Sequence, residues 1–188
     1  MLAILFWRNA VNFCLVMVCC LSLLIFNPSS AMASINDDRY DGNIFVVYAG
    51  NGSLVPPPLT LPQSLQRKTP TILVYYLDDS SDCKQFAIVV SRMQEFYGRA
   101  ASIIPVNVDT IPVKDNYTPQ ETGYYYQGIV PQTVILNQEA EMVFNGKGQV
   151  KFETVDDVLR EVFDLLPRSE SVELKRRAFN EFNSELVP

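Results

Sequence analysis

A continuous apolar run, Ile72, Leu73, Val74, Tyr75, Tyr76 and Leu77, gives way abruptly to the acidic stretch Asp78, Asp79, Ser80, Ser81, Asp82, and this junction limits most strongly how the chain can fold. An unbroken run bounded by turn residues fits a strand covered on both faces, because a solvated face would show alternating polar positions. The residues that follow suit turns and helix N-caps. From Cys83 the apolar period becomes helical, with Phe86, Val89, Val90, Met93, Phe96 and Tyr97 on one face and Gly98 as the stop. A buried strand, a tight acidic turn and a helix over residues 83–97 are therefore predicted, with Cys83 at the strand-to-helix junction.

The other elements follow from the same reasoning. Residues 44–48, Ile-Phe-Val-Val-Tyr, predict a short strand. Pro56, Pro57, Pro58, Pro62 and Pro70 make the next connection stiff and mostly non-helical, with one turn near residues 64–67; it reads as a linker or as a docking site for a proline-reading module. Residues 102–109 predict a second buried strand, in which Pro105 cannot donate a ladder bond and so pairs poorly on one side. A hairpin is expected at 134–145, turning at 137–140. A helix starting near Thr154, with Asp156 and Asp157 in its first turn, should bury Val155, Val158, Leu159, Val162 and Leu166 before Pro167 ends it. Residues 170–185 predict one more helix, with Val172, Phe179, Phe182 and Leu186 opposite Lys175, Arg176 and Arg177. It either docks on its own domain or binds a partner.

The first 33 residues hold a single charge, Arg8, ahead of an apolar run over residues 11–26 and a small-x-small motif, Ala31-Met32-Ala33. This pattern predicts an export signal, cleaved after Ala33 or kept as a membrane anchor through residues 1–26. In both cases Arg8 stays on the cytoplasmic side and residues 34–188 lie across the membrane. Cys14, Cys19 and Cys20 fall within the apolar run, so the exported part has one cysteine, Cys83, and cannot form an internal disulfide. A net charge of -6 argues against a nucleic-acid partner. The chain has no histidine, which excludes Ser-His, Cys-His and histidine-metal chemistry; no metal and no cofactor is expected.

Aligned on Cys83-Lys84, the stretch Asp79-Ser80-Ser81-Asp82-Cys83-Lys84 resembles the W-C-G-P-C-K motif of thioredoxins, with the second cysteine kept and the first replaced by Ser80. Asn107-Val108-Asp109 resembles the N-x-D that ends a thioredoxin strand. Gly128-Ile129-Val130-Pro131-Gln132-Thr133 resembles the segment that carries that fold's cis-proline, with Gln132 intruding before the threonine, and Gly146 and Gly148 match the glycines before its last helix. The resemblance covers residues 44–166 and implies an order β, βα, β, ββα. The expected architecture is α/β: a thioredoxin-like mixed sheet flanked by helices over 44–166, preceded by a signal or anchor (1–33) and a linker (34–43), and followed by a C-terminal helical extension (167–188).

That resemblance also implies a site. In redox-active thioredoxins the first cysteine attacks from the helix N-terminus, where the dipole and free amides favour the thiolate. Here Ser80 stands in that place without a base to activate it. Asp78, Asp79 and Asp82 oppose a thiolate at Cys83, and Val74 stands where the assisting buried aspartate would be. The degenerate motif Ser80, Ser81, Asp82, Cys83 thus predicts no catalytic residue. The implied binding feature is a groove beside Pro131, where Val130 offers its backbone to an extended peptide and Tyr124, Tyr125 and Tyr126 line the rim. With the signal-like start and the proline-rich approach, the chain resembles exported cyanobacterial thioredoxin-like proteins of the thylakoid membrane that lack C-x-x-C and support accumulation of photosystem I. This implies a non-enzymatic assembly or stability factor on the lumenal side, or in the periplasm. Its partner would be a client membrane protein, a photosystem I subunit or an assembly intermediate. The alternative is a single-cysteine thiol oxidoreductase acting through mixed disulfides of Cys83.

Overall fold

The structure is a computed structural model that describes residues 2–25 and 33–171. Ala31 and Met32 of the small-x-small motif, and the helix expected over 170–185 from residue 172 onward, lie outside the described residues. The chain divides into two units, Met1–Ala33 and Ser34–Pro188. The first contains α1, Leu2–Ile25, and among the described residues no helix is long and apolar enough to cross a membrane.

In the second unit the elements run α2 (Ile44–Val47), α3 (Leu61–Gln66), β1 (Thr71–Tyr76), α4 (Ser81–Tyr97), β2 (Ser102–Asn107), β3 (Gln132–Leu136), β4 (Met142–Lys147) and α5 (Phe152–Val162). The sheet order is β2-β1-β3-β4, with β1 parallel to β2 and antiparallel to β3, and β3 antiparallel to β4. All of β1 is buried, as its unbroken apolar run requires. Ile72, Val74 and Tyr76 face a core made with α2, α4 and α5. Leu73 and Tyr75 face a second core with Leu61 of α3, Ile104, Val106, Val134 and Tyr125. This second face is covered by one short helix and the long loop after β2. Pro105 pairs opposite Val74 on the edge strand β2, a position that tolerates a missing donor.

Four expectations need correction. Residues 44–48 do not form a strand; they begin a helix. Asn43 caps α2 by accepting from the Phe45 N–H (3.1 Å), and the Ile44 N–H donates to Asp78 Oδ1 (3.0 Å). A short apolar run fits either state, and this cap together with burial of Ile44 and Phe45 decides it. Next, α3 starts earlier than residue 64 because Thr60 and Gln63 form a capping box. In addition, α5 ends at Val162 and leaves Leu166 exposed. Asp164 has φ 51°, its N–H donates to Glu161 O, and the Leu165 N–H donates to Arg160 O (2.8 Å), which is a Schellman stop without glycine. Phe96, expected in the core, is 56% exposed and packs on Phe152 at the rim.

Because Asp164 holds a left-handed conformation and adds negative charge at a helix C-terminus, Asp164→Gly should stabilise the domain by about 0.5–1 kcal/mol. Urea unfolding measures this as a raised midpoint; a lowered midpoint would mean that the carboxylate makes a compensating contact.

Candidate functional site

The C-terminal end of β1, the turn that follows and the first turn of α4 meet the chain before β3. Ser80 is the N-cap of α4: its Oγ accepts the Cys83 N–H (3.4 Å) and its carbonyl accepts the Lys84 N–H (2.9 Å). The Ser81 N–H donates to Asp38 Oδ1 (2.8 Å). Amides that would otherwise favour an anion at this helix end are thus already engaged, one of them by a carboxylate of the chain itself. Asp82 Oδ1 accepts from Gln149 Nε2 (2.8 Å), in the connection between β4 and α5. Asp78 is half-buried. Its Oδ1 accepts from the Ile44 N–H and its Oδ2 from Asn107 Nδ2 (3.0 Å), and burial pushes its pKa up against those bonds.

Cys83 is 1% exposed. Burial pushes its thiol pKa up, the charges of Asp82 and Asp78 act in the same direction, and hydrogen bonds at Leu77 and Ser80 only partly offset them. Beside it lies Lys84, fully buried. Its Nζ donates to Ser34 O (3.1 Å), Asp37 O (2.9 Å), Asp37 Oδ1 (3.0 Å) and Asp41 Oδ2 (2.7 Å), and it lies 5.4 Å from the centre of the Tyr48 ring. Burial alone would lower the Lys84 pKa, but the bonds from Asp41 and Asp37 outweigh it and the ammonium is held above its usual range. Asp41 is held down at about 2 by Lys84 and by the Tyr48 hydroxyl. Residues 34–41 therefore form a strap across the start of α4, although the sequence reads as a linker there.

The Val130–Pro131 bond is cis. Gln132 pairs opposite Tyr75, so Pro131 sits at the same sheet end as the turn, and its carbonyl accepts the Gly148 N–H (2.7 Å). Gln132, the residue that departs from the thioredoxin pattern, is fully buried. Its Nε2 donates to Tyr125 O (2.8 Å) and Asn145 Oδ1 (3.0 Å), and its Oε1 accepts the Gln127 N–H (2.9 Å). One side chain thus ties the tyrosine loop to β3 and β4. Tyr126 stacks on Tyr75 at 5.3 Å, Tyr125 is buried and Tyr124 is 53% exposed.

Over 158 residues the chain is 68% identical to the thylakoid membrane protein slr1796 of Synechocystis sp., a match that covers 84% of this chain and 79% of that protein. The chain belongs to the slr1796 family. No protein-family model matches it. Similar solved structures include the germline thioredoxin Deadhead of Drosophila melanogaster (18% identity, 54% of this chain and 93% of that chain, TM-score 0.41) and StoA of Bacillus subtilis (15% identity, 54% and 85%, TM-score 0.36). The thioredoxin-like fold of this slr1796-family chain stands on its own sheet order, its strand-turn-helix unit and its cis-proline.

In the slr1796-family chain the expected site residues separate into groups. Ser80, Ser81, Asp82, Cys83, Val130 and Pro131 come together at one end of the sheet. Tyr126 packs nearby on Tyr75, whereas Tyr125 belongs to the second core. Tyr124 instead lines a groove of about 330 Å3 with Pro119, Tyr125, Gln127, Ala140 and Met142. A concavity of about 370 Å3 along α1, between Trp7 and Val18, belongs to the other unit and involves none of these residues. The sequence gives no role to Lys84 or Gln132, which it shows only as motif positions, and does not single out Asp38 or Gln149. The one signal for the strap was the group of carboxylates Asp37, Asp38 and Asp41 ahead of a domain whose helix begins with a lysine.

In a Cys14, Cys19 and Cys20→Ser background, Cys83 should react with a soluble disulfide reagent at least about 100-fold more slowly in the folded than in the unfolded protein. Since its pKa is raised, the folded rate should still be climbing at a pH where a free thiol has levelled off. Folded-state reaction as fast as a free thiol at neutral pH would show an accessible thiolate.

Proposed function

We propose that this chain is a redox-inactive thioredoxin-like factor of the thylakoid membrane, exported to the lumenal side, which binds segments of a client membrane protein and supports photosystem I accumulation. The observation that carries the reading is the use made of the old redox turn. Ser80 is spent as a helix cap and Cys83 is sealed in the core, while the fold and the cis-proline that serve peptide binding are kept. The name of the Synechocystis relative supports the membrane, and the resemblance to C-x-x-C-lacking thylakoid proteins supports the photosystem I client.

In this reading the client is an extended segment that lies beside Val130 and Pro131, adding its backbone to the end of the sheet. Ile129, 44% exposed, and Tyr126 offer the apolar surface. Pairing through backbone groups suits a chaperone-like role, because it reads extended shape more than particular side chains. No electron transfer is required of any residue.

Replacing Cys83 with Ala in the cell should leave photosystem I accumulation unchanged, at a stability loss on the order of 1 kcal/mol. Ile129→Glu should lower photosystem I and abolish crosslinking of the client from membranes, with the melting temperature unchanged. Loss of photosystem I in the Cys83→Ala strain without a change in melting temperature would make the thiol functional and overturn the proposal.

A further inference from the structure

Ser34 opens the strap, and the boundary between the two units of the chain falls between Ala33 and Ser34. The small-x-small motif ends at the same bond. Ala33 is exposed, whereas Ser34 is half-buried and engaged at three atoms. Its carbonyl accepts from Lys84 Nζ (3.1 Å), its Oγ accepts the Asn36 N–H (3.4 Å), and its own N–H donates to Asp41 Oδ2 (3.4 Å). That Asp41 oxygen also accepts from Lys84 Nζ (2.7 Å) and from the Tyr48 hydroxyl (2.5 Å). The Ser34 nitrogen is thus the most distant of three donors to one carboxylate oxygen.

The charges of this clamp do not balance. The strap brings three carboxylates, Asp37, Asp38 and Asp41, against two cations, its own Arg39 and Lys84 of α4, so one negative charge is left over. A neutral amide at Ser34 does not offset it. Hydrolysis of the Ala33–Ser34 peptide bond does: one water is consumed, Ala33 leaves as a carboxylate, and the Ser34 nitrogen becomes an amine that holds a proton at neutral pH, since α-amines titrate at about 7.7–8.0. The product carries a full charge and three hydrogens where the amide had one, at a position already within reach of Asp41.

We propose that export cleavage between Ala33 and Ser34 supplies the missing charge of the clamp: the new α-ammonium of Ser34 pairs with Asp41 Oδ2 and fastens the strap across α4. Cleavage one residue later removes the Ser34 carbonyl that Lys84 uses, and cleavage earlier carries the charge away from Asp41. Only this bond leaves both contacts in place. Because the strap also holds Asp38 on the Ser81 amide, maturation closes the helix end that the degenerate redox turn leaves. The proposal rests on export but on none of the client-binding residues.

Mass spectrometry of the chain isolated from membranes reads its N-terminus, expected at Ser34. On the same chain, competitive acetylation at trace reagent follows the protonation of the Ser34 amine against pH. A neighbouring ionised carboxylate raises the folded pKa of the amine, so its half-point should lie about one unit above that of the denatured chain, with labelling at pH 8 at least about 5-fold slower. Asp41→Asn should return the half-point to the denatured value, and Asp41→Glu, which keeps the carboxylate, should hold it raised. If Asp41→Asn fails to fold, the half-point of the parent decides alone. A chain that keeps residues 1–33, a start at any other residue, or a Ser34 amine that titrates as in the denatured chain would each overturn the proposal. A retained N-terminal segment would still leave the client-binding reading standing, because an anchored domain also lies across the membrane.

Discussion

The buried ammonium of Lys84 sets the terms for the front of this domain. An unpaired charge there would cost several kcal/mol, so oxygen partners must be brought to it. They come from Ser34, Asp37 and Asp41, which obliges the chain ahead of the first domain helix to fold across α4. Once the strap is in place, Asp38 reaches the Ser81 amide. The helix end that serves thiolates in related folds is thereby given to the protein's own carboxylate. With its pKa held at about 2, Asp41 stays ionised until strongly acid pH. Stability from a depressed carboxylate is present above its unfolded pKa and fades as pH falls toward the folded one, so the clamp is intact in neutral and mildly acidic solution.

A second constraint acts on the other face of the sheet. A strand buried on both sides needs two covering layers, and here one layer is only α3 and the tyrosine loop. Such a loop carries many backbone polar groups, which must be satisfied. Gln132 does this, and the Tyr75 hydroxyl adds a bond to Thr122 O (2.5 Å). What looks like an intrusion in a thioredoxin motif is the anchor that ties the covering loop to the sheet. The two constraints meet at β1, whose Tyr75 belongs to the loop side and whose Tyr76 belongs to the Asp78 side.

The sequence showed most clearly those parts of the fold that local patterns determine. The strand at 71–77, the helical face of Phe86, Val90, Met93 and Tyr97, the edge character of the Pro105 strand and the cis-proline could all be read, the last through family resemblance. Residues 44–48 were misread because their state depends on Asp78, far along the chain, and no local period distinguishes five apolar residues as strand or helix. The end of α5 was misplaced because Asp164 takes the position where glycine is the usual signal. Lys84 and Gln132 were seen as motif positions without roles, since their partners lie in the strap and in the tyrosine loop. The separation of Tyr124, Tyr125 and Tyr126 into surface, core and stack likewise follows from hydrogen bonds that consecutive identical residues cannot reveal.

The proposed function rests on a thioredoxin-like frame in which Ser80 caps the helix where the attacking cysteine would stand and Cys83 is buried. Disulfide reductase activity toward insulin, compared between the parent chain and a Ser80→Cys, Asp82→Pro variant, tests it most directly. The account predicts no activity in the parent and partial activity in the variant, since Val74 supplies no assisting carboxylate and Asp78 and Asp79 still disfavour a thiolate. Activity in the parent would contradict the claim. So would a folded variant whose two thiols cannot be oxidised to a disulfide, because residues 80 and 83 would then not be placed as the frame requires.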